Sequence, residues 1–80
     1  MRVRVFVRLK GGVLDVQGKA VERGVLEAGI TGIADVRIGK LIEFDVAASS
    51  AQEARARAEE LCEKVLANPI IENFEIVALP

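Results

Sequence analysis

The chain has no histidine, no tryptophan and no tyrosine, and its single cysteine is Cys62. Each absence removes a class of chemistry. Without histidine, a serine or cysteine nucleophile lacks its usual activating base. Cys62 falls on the apolar stripe of an expected helix with Ala58 and Leu66, where a thiol behaves as a small apolar group. As metal ligands only carboxylates remain, and they alternate with Lys and Arg rather than gathering into an oxygen cage. One cysteine excludes an intrachain disulfide and suits a reducing compartment. No apolar run approaches the ~20 residues of a membrane span. The N-terminus alternates Arg with Val instead of showing a signal-peptide core. A cytoplasmic location is the expectation.

The 80 residues are read as one domain, 1–80, with 51% apolar but only 4% aromatic residues, so burial rests on Val, Ile, Leu and Ala. A core of that size rarely gives more than about 3–5 kcal/mol, and oligomerisation is a common supplement. Eleven basic against 12 acidic residues leave a net charge of −1. That balance supplies no field for gathering nucleic acid or an anionic membrane.

Residues 2–10 alternate strictly, Val3, Val5, Val7 and Leu9 against Arg2, Arg4, Phe6, Arg8 and Lys10. Period two predicts a strand with one buried face. After Gly11-Gly12, Asp15 is placed to cap a helix with body Gln17–Ala28, Val21, Val25 and Ala28 facing inward and Gly29 terminating it. A hairpin is expected next. A three-residue connection Gly39-Lys40-Leu41 pairs Ile38 with Ile42, Val36 with Phe44 and Ala34 with Val46, and sets Arg37 opposite Glu43. Ser50-Ala51-Gln52-Glu53 is a capping box for a helix reaching Ala67, with Ala54, Ala58, Leu61, Cys62, Val65 and Leu66 as its stripe. Asn68-Pro69 ends it, and a last strand covers about Asn73–Leu79.

The expected order is βαββαβ, an α+β antiparallel sheet with both helices on one face, ferredoxin-like or a close variant. The other face would carry Arg2, Arg4, Phe6, Arg8, Arg37, Glu43 and Asp45, joined by Val77 and Leu79. A mixed apolar and charged face on so small a domain suggests contact with another chain. RNA binding on that face would have only Phe6 to stack bases, so a protein interface is the better reading. Gly11-Gly12 and Gly39-Lys40 lack the longer glycine loop and Lys-Ser/Thr pair of a P-loop, which leaves turn geometry as their reading.

Three segments then stand out in order: Leu14-Asp15-Val16-Gln17-Gly18-Lys19-Ala20, Asp35-Val36-Arg37-Ile38-Gly39-Lys40, and Cys62-Glu63-Lys64-Val65-Leu66-Ala67-Asn68-Pro69-Ile70-Ile71-Glu72. Together they make the chain resemble PurS, the small subunit of phosphoribosylformylglycinamidine (FGAM) synthase, over essentially its whole length. One departure is Val16, where the family commonly has proline. The resemblance implies a dimerising, non-catalytic subunit in de novo purine biosynthesis. It would hold the large synthetase subunit (PurL) and the glutaminase subunit (PurQ) together for ammonia transfer. It would bind no cofactor itself, ATP and Mg belonging on the large subunit. Carried onto this sequence, Gln17, Lys19, Arg37 and Lys40 are candidate partner contacts, while Asp15, Gly18, Gly39, Asn68 and Pro69 are assigned to turns and caps. The alternative is an ACT-like regulatory module, whose ligand loop Gly11-Gly12 would imitate.

Overall fold

The computed structural model describes residues 1–79. Strand β1 (Arg2–Leu9) is the centre of an antiparallel sheet of order β2-β1-β3, flanked by β2 (Gly39–Asp45) and β3 (Glu72–Leu79). The alternation in β1 holds: Val3, Val5 and Val7 are essentially inaccessible. The register aligns Ile42, Val5 and Ile76 across the sheet, and Phe44 with Val3. On that face lies α2 (Ala51–Leu61), which buries Ala54, Ala58 and Cys62 against the valines. Small residues on the helix let it sit close to a β-branched layer, so burial is achieved without large side chains.

The Ser50 cap forms, with the return bond of the expected capping box shifted to the preceding residue. Ser50 Oγ accepts the Glu53 N–H at 3.1 Å, while the Glu53 carboxylate reaches back to the N–H and hydroxyl of Ser49. The helix then widens into a π turn, Cys62–Leu66, with the Ala67 N–H bonded to the Cys62 carbonyl. Asn68 closes it: its N–H goes to Glu72, its side-chain oxygen accepts from Ile70, and its carbonyl accepts from Ile71 and Glu72. The last strand pairs with β1 of the same chain.

Two expectations fail. The first is the hairpin. Residues 30–38 form no strand, and β2 pairs with β1 instead, so Ile42 faces Val5 and Phe44 faces Val3. The fold is βαβαβ among the described residues, still an α+β antiparallel sheet with two helices. The physical reason is that the valine face of β1 offers a longer apolar ladder than residues 34–38, while the Ile38 N–H is taken by Asp15. Arg37 therefore does not face Glu43, which pairs with Arg4 at 3.5 Å and Arg2 at 4.0 Å.

The second is the placement of α1 (Val16–Glu27). Its cap is as expected, Asp15 accepting from Gly18, and a Schellman arrangement at Gly29 and Ile30 ends it. Yet only Gly18 is buried in this helix; Val21 is 45% and Leu26 64% exposed. Among the described residues α2 packs on the sheet against β1 and β3, and α1 has no comparable packing on a strand. Residues 30–38 run back beside α1, Asp35 donating to Glu22 at 3.3 Å. Helix and return segment form an arm. The molecule spans 51 × 26 × 15 Å with a radius of gyration of 16.0 Å, against about 12 Å for a compact chain of this length.

The outer sheet face is as charged as expected. Arg2 meets Asp45 at 3.4 Å, Arg8 meets Glu75 at 3.4 Å, and the Arg8 guanidinium lies 5.6 Å from the Phe6 ring. Val77 faces Arg4 across the strands. The side chain of Leu79, expected on this face, lies outside the described residues. These exposed pairs are worth about 0–1 kcal/mol each and set the character of the surface more than its stability.

Candidate functional site

The motif residues converge where the arm joins the sheet, at the Leu9 end of β1. Asp15 is only 5% exposed. Its carboxylate accepts the Gly18 N–H at 2.8 Å and the Ile38 N–H at 2.6 Å, so one side chain caps α1 and ties it to the strand-ward end of the return segment. These two bonds, the Ile38 one foremost, hold its carboxyl below the ordinary aspartate value, with Arg37 adding to the effect. Gly18 is required by contact. A β-carbon there would lie 2.3 Å from the Val36 carbonyl oxygen and 2.8 Å from the Asp15 carboxylate. Arg37 spans the same junction from outside, donating to the carbonyls of Val13 at 3.1 Å and Lys10 at 3.3 Å.

Beside this clamp, Gly39 opens β2 rather than a turn, because a β-carbon there would come within 2.8 Å of the Val7 carbonyl. Lys40 follows on the α2 side of the sheet. Its ammonium lies 3.8 Å from Glu72, whose other oxygen holds the Asn68 N–H at 2.7 Å. Lys10 completes the corner by donating to the Pro69 carbonyl at 2.7 Å. Asp15, Gln17, Ile38, Lys40 and Glu72 line one cavity of about 140 Å³. Gln17 and Lys40 sit exposed at it, whereas Lys19 stands one turn along the arm, paired with Glu22 at 3.3 Å.

The candidate residues thus divide by what their polar groups hold. Asp15, Arg37 and Asn68 bond the chain's own backbone, and Gly18 and Gly39 admit a carbonyl. Gln17, Lys19 and Lys40 keep donors exposed. Glu72 and Lys10 belong to the same corner and were not among the candidates, since alternation places a strand-end charge on a face without naming the distant group it meets. Cys62 is fully buried; desolvation first, then Glu59 and Glu63, pushes its thiol above the ordinary 9.0. A buried thiol held protonated is inert.

Fold and site together define a small α+β interaction subunit, with its polar groups spent on backbone geometry and on an exposed rim of donors. The profile described as PurS, phosphoribosylformylglycinamidine (FGAM) synthase, matches residues 2–79. Over 78 residues the chain is 42% identical to the synthase subunit PurS of Synechocystis, covering 95% of this chain and 78% of that protein. Its structure resembles PurS of Methanocaldococcus jannaschii, one of the subunits of formylglycinamide ribonucleotide amidotransferase, with TM-score 0.84, 30% identity and coverage of 95% and 92%. It also resembles a chain of the PurLQS structure from Thermotoga maritima, with TM-score 0.88, 28% identity and coverage of 98% and 95%. The chain belongs to the PurS family: it is a non-catalytic subunit of FGAM synthase, in purine biosynthesis.

Proposed function

We propose that this subunit acts as a homodimer or higher homo-oligomer in the cytoplasm, holding PurL and PurQ together so that ammonia released by the glutaminase reaches the synthetase. ATP and Mg belong to PurL in this reading, and this chain binds neither. The observation that carries it is the arrangement at the arm base. Buried Asp15 and the Arg37 bridge fix the backbone there, while Gln17, Lys19 and Lys40 present an amide and ammonium groups to a neighbour. Rigid presentation of donors is what a specific polar contact needs. Arg37 joins the contact through donors its carbonyl bonds leave unused. The exposed apolar residues of α1 support self-association.

The test is reconstitution with PurL and PurQ, measuring FGAM synthesis from glutamine and from added ammonia. Gln17→Ala with Lys40→Ala should keep the melting temperature and lower glutamine-dependent synthesis at limiting subunit by about tenfold. Ammonia-dependent synthesis should fall less. Glutamine-dependent synthesis that is unchanged when this subunit is omitted altogether would overturn the reading.

A further inference from the structure

The cavity of about 140 Å³ at the arm base is lined by groups of both charges, and their hydrogen bonds show which of them remain free. Both Asp15 oxygens are occupied, by the N–H groups of Gly18 and Ile38. One Glu72 oxygen is occupied by the Asn68 N–H at 2.7 Å. Among the described residues its second oxygen meets only the Lys40 ammonium, at 3.8 Å. A charge-assisted hydrogen bond is about 2.7–2.9 Å long, so this pair stays open. The Glu72 side chain is only 13% exposed, and a largely buried carboxylate oxygen without a close donor is costly. Neither the Lys40 ammonium nor the Gln17 amide makes a hydrogen bond among the described residues.

The free groups therefore ask for an anion at Lys40 and Gln17 and for a cation at Glu72, within one small space. The cavity has room for about five waters. The backbone of a free α-amino acid, one nitrogen, two carbons and two oxygens, is of that size and carries both charges. Val7, Leu9 and Ile38 give the rest of the wall an apolar surface for its hydrocarbon edge. A lone anion would have to enter beside the Asp15 and Glu72 carboxylates. A zwitterion brings no net charge and meets each wall with the opposite sign.

We propose that this cavity binds a free α-amino acid, with its carboxylate on the Lys40 ammonium and the Gln17 amide and its ammonium on the second Glu72 oxygen. Its side chain points out past Lys40 and Gln17, which are exposed at the rim. The site goes beyond the assembly reading, giving Gln17 and Lys40 a second use, and it is tested without PurL or PurQ, so either can fail alone.

The experiment titrates the full chain, isotope-labelled for nuclear magnetic resonance, with glycine and with L-alanine at pH 7. Sodium acetate and methylammonium chloride are titrated in parallel at matched ionic strength. Saturable shifts at Gln17, Gly39 and Lys40 are expected with both amino acids. Acetate and methylammonium, each able to hold one end of the site, should bind at least about tenfold more weakly. Lys40→Gln and Glu72→Gln should each weaken glycine binding by about tenfold, with unchanged far-UV circular dichroism. Because Glu72 also holds the Asn68 turn, Gln17→Ala on the exposed rim is the second kind of variant and should weaken glycine binding by about fivefold. No saturable shift with either amino acid would overturn the site. So would acetate binding as tightly as glycine, or glycine binding that all three variants leave unchanged.

Discussion

The carboxylate of Asp15 holds the amide of Ile38 at 2.6 Å across 23 positions of sequence. A helix cap thereby becomes the tie between α1 and β2. The same carboxylate accepts from Gly18, and both bonds favour the ionised form, so its pKa lies below the ordinary 3.8. A carboxylate with a lowered folded-state pKa adds stability above its unfolded value, and that stability is lost as pH falls through the folded one. The melting temperature should therefore drop as pH is lowered from 4 towards about 2. Asp15→Asn should melt lower at pH 7 and lack that component of the acid dependence. An identical acid profile in the two proteins would refute the assignment.

The two glycines of α1 should respond oppositely to alanine. At Gly18 the new methyl group meets the Val36 carbonyl at 2.3 Å, and the clamp must open. Gly18→Ala should cost about 1–3 kcal/mol. At Gly24 nothing lies within 4 Å, so Gly24→Ala should stabilise by about 0.5–1 kcal/mol through helix propensity. Urea unfolding of both variants decides it, and equal signs would contradict the contact argument.

Cys62 fills space between α2 and the valines of β1. Cys62→Ala should lower stability by about 1 kcal/mol and leave the activity of the assembled synthase intact. In the native wild-type protein, alkylation at pH 8 should be slow and should accelerate on unfolding. Rapid native alkylation would show the thiol to be accessible.

Arg37 bridges two backbone carbonyls of the loop before α1. Arg37→Ala should loosen that loop by about 0.5–1.5 kcal/mol, and Arg37→Lys should recover little, since an ammonium cannot span both oxygens as the planar fork does. Amide exchange of residues 11–14 and the melting temperature read this directly. Full stability in Arg37→Lys would remove the case for the fork.

What the sequence determined by itself is what local patterns determine. The alternation of Arg2–Leu9 made β1 and its buried valines, Ser50 and Glu53 made the start of α2, and Asn68-Pro69 made its end. Each depends on residues within a few positions of one another, where period and capping chemistry act directly. Absence of reactive groups and the three ordered segments pointed to a subunit rather than a reaction centre. Tertiary structure decided what non-local competition decides. Ile42 and Phe44 had two apolar partners on offer, the nearby 36–38 segment and the distant β1, and β1 won because it presents three aligned valines. Arg37 likewise left an expected carboxylate for two carbonyls. Most of all, the apolar strip of α1 declared a buried face without saying whose surface would bury it. A helix reports that it needs a partner; only the direction in which Asp15 and Ile38 aim it shows that the sheet of its own chain is not that partner.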